Sequence, residues 1–115
     1  GRLRRYRATV TMAAQADTDT VTLAKIPAGS TFAFGIIQAS ATLGATATVA
    51  IGVSGTPAKY RAAATHTVTT PVMFGLSTAA DDVPLAADET VIMTVGAAAL
   101  PGSGTVVVDL YFSAT

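Results

Sequence analysis

The chain of 115 residues has no cysteine and no tryptophan, one histidine, one glutamate, two lysines and two glutamines. Without cysteine there are no disulfides, zinc–thiolate sites, iron–sulfur clusters or thiol chemistry. With only His66, a multi-histidine metal site within one chain is excluded. Charged residues make up 12% of the chain, about half the share of an average soluble domain. Aromatics are 6%. The longest apolar stretches, such as Ala97-Ala98-Ala99-Leu100 and Val106-Val107-Val108, fall far short of the ~18 residues of a membrane-crossing helix. The basic start, Gly1-Arg2-Leu3-Arg4-Arg5, lacks a following apolar segment, so it does not read as a signal peptide. The sequence therefore predicts no metal, no cofactor, no membrane partner and no enzyme.

What the chain does have is alanine and β-branched residues. There are 24 alanines within the apolar 50%, and Thr, Val and Ile together number 36. Branching at Cβ suits a pleated sheet better than a helix, and the usual surface helix formers are nearly missing. The balance points to an all-β protein of one domain.

Alternation supports that assignment. From Leu3 to Met12, Tyr6, Ala8, Val10 and Met12 fall on one face, with Arg5, Arg7, Thr9 and Thr11 on the other. Further strands are predicted over Thr20–Ile26, Thr31–Ala41, Thr46–Val53, Val68–Phe74, Glu89–Val95 and Thr105–Phe112. In the third, Phe32, Phe34 and Ile36 alternate until Gly35-Ile36-Ile37 breaks the phase, which predicts a bulge there. Ala58–Thr65 is predicted as a single helical turn or a short edge strand, and Pro71 confines the next strand to an edge. Pro101-Gly102 reads as a hairpin signal. Seven or eight short strands punctuated by Gly and Pro predict an antiparallel sandwich or barrel.

The neutral net charge hides a polarised chain. Arg2, Arg4, Arg5 and Arg7 give the first seven residues a charge of +4, and the remainder carries three basic against seven acidic groups. Residues 1–12 are predicted as a basic N-terminal arm leading into the first strand, and residues 13–115 as a single β-sandwich domain. The acidic remainder would repel a polyanion, so docking of the arginines on an acidic protein surface, or on a like subunit, is expected rather than nucleic-acid binding.

Other candidates carry less. His66 has no nucleophile motif beside it and reads as a surface or interface histidine in a loop. Asp81-Asp82, Asp17 with Asp19, and Asp88-Glu89 match no calcium-loop spacing. Tyr60, Tyr111 and Phe112 are candidates for a sugar platform, but core packing accounts for them better.

Several segments, in order, resemble small structural proteins of tailed bacteriophages. They are Leu23-Ala24-Lys25-Ile26-Pro27-Ala28-Gly29-Ser30, Phe34-Gly35-Ile36-Ile37, Thr48-Val49-Ala50-Ile51-Gly52, Ala58–Thr65, and Glu89–Val95 with Gly102–Tyr111. The resemblance is to capsid decoration (cement) and related head proteins and spans residues 20–112. It implies an antiparallel, jelly-roll-like β-sandwich on the capsid exterior, a homo-oligomer with a trimer favoured, and the major capsid protein as partner. Alternatives are a head–tail connector, a spike or fibre module, or a carbohydrate-binding module. The arginine-rich start has no counterpart in the pattern.

Overall fold

A computed structural model describes residues 2–44, 46–67, 69–75 and 84–114. Among them are eight strands and no helix: β1 Arg2–Thr11, β2 Thr20–Ile26, β3 Thr31–Ala39, β4 Thr48–Val53, β5 Thr56–Thr65, β6 Val72–Phe74, β7 Glu89–Gly96 and β8 Thr105–Ala114. They form two four-stranded sheets, ordered β1-β8-β3-β6 and β2-β7-β4-β5, with every pair antiparallel. Only β4 and β5 are neighbours in both sequence and sheet. Every other connection leaves one sheet for the other or for a distant position. That winding is the jelly-roll order.

Alternation explains how the sheets meet. Val106, Val108, Leu110 and Phe112 of β8 face Val91, Met93 and Val95 of β7, and all seven are fully buried. Ile26, Phe32, Ile37, Val49, Ile51 and Tyr60 add to the core, with Val10 of β1 and Met12 just beyond that strand also buried in it. At Gly52 the β5 backbone crosses so closely that a Cβ would lie 2.5 Å from the Pro57 carbonyl oxygen and 2.7 Å from the Lys59 nitrogen. Only glycine fits that crossing.

Two local expectations need correction. The phase slip in β3 lies between Phe32 and Phe34, at Ala33 rather than at Gly35-Ile36-Ile37. Phe32 therefore points into the core while Phe34 and Ile36 point outward. Pro101-Gly102 is not a hairpin: β7 and β8, which it joins, belong to different sheets. Turn residues reverse the chain without specifying which sheet receives it. Of the two readings for Ala58–Thr65 the edge strand holds, as the larger part of β5, and β6, also at an edge, begins only after Pro71.

Candidate protein-docking surface

Arg2, Arg4, Arg5 and Arg7 all fall within β1, paired with β8 over the whole strand. Period two then separates them. Arg5 and Arg7 share the outer face of the β1-β8-β3-β6 sheet, while Arg4 lies opposite the core residue Phe112 at the end of the sandwich. The cluster is contiguous in sequence but divided between two faces.

Register assembles the outer face in rows. Arg5 aligns with Tyr111 and then Phe34; Arg7 aligns with Asp109, Ile36 and Met73. Phe34 and Tyr111 stack with centroids 4.6 Å apart and planes at 17°. Arg7 binds Asp109 through two contacts, Nε to Oδ1 at 2.8 Å and Nη2 to Oδ2 at 3.0 Å. Asp109 is 6% exposed, and its ion pair with Arg7 raises the guanidinium pKa above its ordinary value, chiefly through the side-chain hydrogen bonds. Arg7 is thus committed within the chain. Arg4 and Arg5 are exposed and, among the described residues, have no carboxylate partner.

The two outer faces differ in chemistry. The first presents Phe34, Ile36, Val107 and Tyr111 half-buried, with Leu3 57% and Met73 51% exposed. The outer rows of the β2-β7-β4-β5 sheet run Thr22–Ile92–Gly52 and Thr20–Thr94–Ala50. One face offers large apolar and aromatic side chains around an ion pair. In these rows the other offers small and hydroxylated ones, with Ile92 the single large apolar side chain.

Comparison with solved structures adds the decisive likeness. A chain described as the cyanophage Pam1 capsid asymmetric unit matches with a TM-score of 0.80 and 18% identity, over 100% of this chain and 86% of that one. A chain of the capsid of Ralstonia phage GP4 matches with a TM-score of 0.80 and 22% identity, over the same shares. The fold is one found in phage capsids. A third match, from the acid-stable capsid of Helicobacter pylori bacteriophage KHP30, has a TM-score of 0.58 and 15% identity, covering 100% of this chain and 90% of that one. No protein-family model matches the chain, and no curated protein does.

The remaining candidates resolve into structure. Tyr60 and Phe112 are fully buried in the core, and Tyr111 presents a ring stacked on Phe34, so the three form no shared platform. The Tyr60 hydroxyl donates to Glu89, which Lys59 also contacts. Burial first, and then the bond to Glu89, holds the Tyr60 pKa well above its ordinary value. Asp88 accepts from the Ala28 backbone at 2.9 Å, and Asp19 accepts from Ala16 at 2.9 Å; both carboxylates tie turns. Asp81 and Asp82 lie outside the described residues. Among the described residues no cluster of three potential metal ligands occurs.

His66 differs from expectation. It follows β5 directly and is 3% exposed rather than on the surface, and its Nε2 has no hydrogen-bond partner among the described residues. The Leu43 amide donates to its carbonyl at 3.1 Å, which ties the segment after β5 to the one after β3. Desolvation, followed by the charge of Arg61, lowers the imidazole pKa below its ordinary 6.5. The unfolded chain therefore takes up a proton near pH 6.5 that the folded chain refuses until lower pH. Stability from this group is complete above 6.5 and declines as pH falls through the window below it, by at most about 1.4 kcal/mol per pH unit. His66→Leu is expected to flatten that decline, measured as the difference in thermal midpoint between pH 7.5 and 5.5. An unchanged difference would show that other groups carry it.

Proposed function

We propose that the protein is a structural component of a phage virion, a decoration (cement) protein that docks on the capsid exterior and stabilises the assembled head. The observation that carries this reading is the full-length likeness, at TM-score 0.80, to two phage capsid chains. Support comes from the chemistry of the faces. A large apolar face around one internal ion pair can be desolvated with little unpaired charge, as a protein interface requires. The role is structural rather than catalytic, its partner is the major capsid protein, and its state is a homo-oligomer, with a trimer favoured. Binding that selects the assembled shell stabilises that shell by linkage, and several linked sites raise modest single-site affinity by avidity.

The test is the copy number and location of the chain in purified particles, by quantitative mass spectrometry and electron cryo-microscopy. Many copies spread over the head are expected. A few copies at one vertex would instead mark a connector or spike, and absence from the particle would end the virion reading. Because Arg2–Arg7 lie within β1, truncation would remove half a strand. Replacing Arg4 and Arg5 by serine is the cleaner probe of docking, with reduced occupancy on the particle expected at unchanged thermal midpoint.

A further inference from the structure

Four strands lie at sheet edges: β1, β6, β2 and β5. Three are blunted in the ways that keep edges from recruiting other chains. β6 is three residues long and follows Pro71. β2 is bulged between Thr22 and Ala24. β5 contains Pro57, shifts register twice against β4, and has its irregular stretch tied down by Arg61, whose guanidinium donates to the carbonyls of Val49, Ala64 and Thr65. β1 has none of these devices. It pairs with β8 in ten consecutive register positions, Arg2 with Ala114 through Thr11 with Thr105, with no bulge and no proline.

The edge of ten residues leaves alternate backbone N–H and C=O groups pointing away from β8; the Thr11 carbonyl at its end is taken by Gln15 Nε2 at 2.9 Å, and the positions before it are a ready template for one more strand. Its charge selects the occupant. Antiparallel pairing of β1 with β1 of a second copy over all ten positions sets Arg4 and Arg5 opposite Thr9 and Ala8, but it still crowds the exposed Arg4 and Arg5 of both copies into one ribbon that brings no acid to offset them. An acidic extended segment is attracted by the same side chains, and Arg4 and Arg5 have no internal carboxylate among the described residues. A nucleic acid would use the charge and leave the backbone groups unmatched.

We infer that the open edge of β1 receives an acidic, extended polypeptide segment of a partner protein as a ninth strand, with Arg4 and Arg5 as its charge anchors. This rests on the docking reading for its biological setting, but its test does not, because it uses the isolated protein.

The probes are two ten-residue peptides, alternating Glu-Thr and alternating Lys-Thr, and a ten-nucleotide oligothymidylate. Each is titrated by fluorescence anisotropy, with amide hydrogen exchange read along β1. The Glu-Thr peptide is expected to bind at least tenfold more tightly than the Lys-Thr peptide and to slow exchange of β1 amides. Arg4→Ser with Arg5→Ser should remove most of that preference. Ala8→Pro and Thr9→Pro supply the backbone control: whichever of these neighbours has its N–H facing outward keeps the fold and blocks the peptide. Equal binding of both peptides, binding without slowed β1 exchange, or oligothymidylate binding as tightly as the Glu-Thr peptide would each overturn the proposal. Particle occupancy plays no part in these outcomes, so the virion reading fails or survives separately.

Discussion

Replacing Phe112 with alanine is expected to lower the free energy of unfolding by about 3–5 kcal/mol, among the largest single-site losses anticipated for this chain. Phe112 is fully buried on β8, and its ring meets three others. Tyr6 of β1 lies at 5.9 Å, Phe32 of β3 at 5.3 Å, and Tyr60 of β5 in the opposite sheet at 5.8 Å. Truncation therefore opens a cavity at the seam between the sheets and removes edge-to-face contacts on three sides. Against a total stability of about 5–15 kcal/mol for a domain, such a loss brings the chain close to unfolding. Urea denaturation gives the difference directly, with the slope unchanged if the native state persists. The adjacent Tyr111→Ala is the internal comparison. Its ring stacks only on Phe34, on the outer face and half-buried, so a loss of about 1 kcal/mol is expected in the free protein. Its larger effect should fall on docking. A Phe112 loss as small as that of Tyr111 would mean the aromatic cluster does not hold the sheets together.

The difference between these neighbours is legible in the sequence, because period two along Val106–Phe112 puts them on opposite faces of the strand. The same rule places Tyr6 and Val10 of β1, and Met12 just beyond it, against the core, where they lie. It loses the phase in β3, where one extra residue at Ala33 sends Phe34 and Ile36 outward; a bulge inverts every later side chain and leaves only a weak composition signal. The candidate docking face is hidden in the sequence for that reason. Phe34 and Ile36 read as core, and the partners of Arg5 and Arg7 on β8 are more than a hundred residues away along the chain. Asp109 shows the limit well. As one acid in an alternating strand it reads as solvent-facing, yet it is buried because Arg7 covers it from one side and Ile36 adjoins it on the other. Register between distant strands decides such contacts, and turn chemistry such as Pro101-Gly102 does not encode it. The burial of His66 escapes sequence reasoning in the same way, since nothing local distinguishes it from the exposed Thr65 and Thr67 on either side.

Gly35→Ala is expected to cost about 2–3 kcal/mol, through overpacking rather than through any lost interaction. Gly35 sits on β3 opposite Leu110 of β8 and Phe74 of β6, and it is buried. It is not among the residues with positive φ, so alanine meets no backbone penalty there. The cost is steric: a Cβ at this position would lie 2.7 Å from Cε1 of Phe74, whose ring rests on the bare backbone. The ring cannot retreat freely, because it anchors a strand of three residues, Val72–Phe74, at the edge of the sheet. A double-mutant cycle separates this effect from a general intolerance of the core. Phe74→Ala alone loses a buried ring and should cost about 3–5 kcal/mol. With Phe74 truncated, the added methyl at position 35 occupies space the ring has left, so the pair should cost less than the sum by about 1–3 kcal/mol. Strict additivity would refute the steric account. The same substitution also reaches the docking face, since Met73 is carried on β6 beside Ile36. Displacing the Phe74 ring should loosen β6, detectable as faster amide exchange at Met73 while β1 and β8 keep their protection.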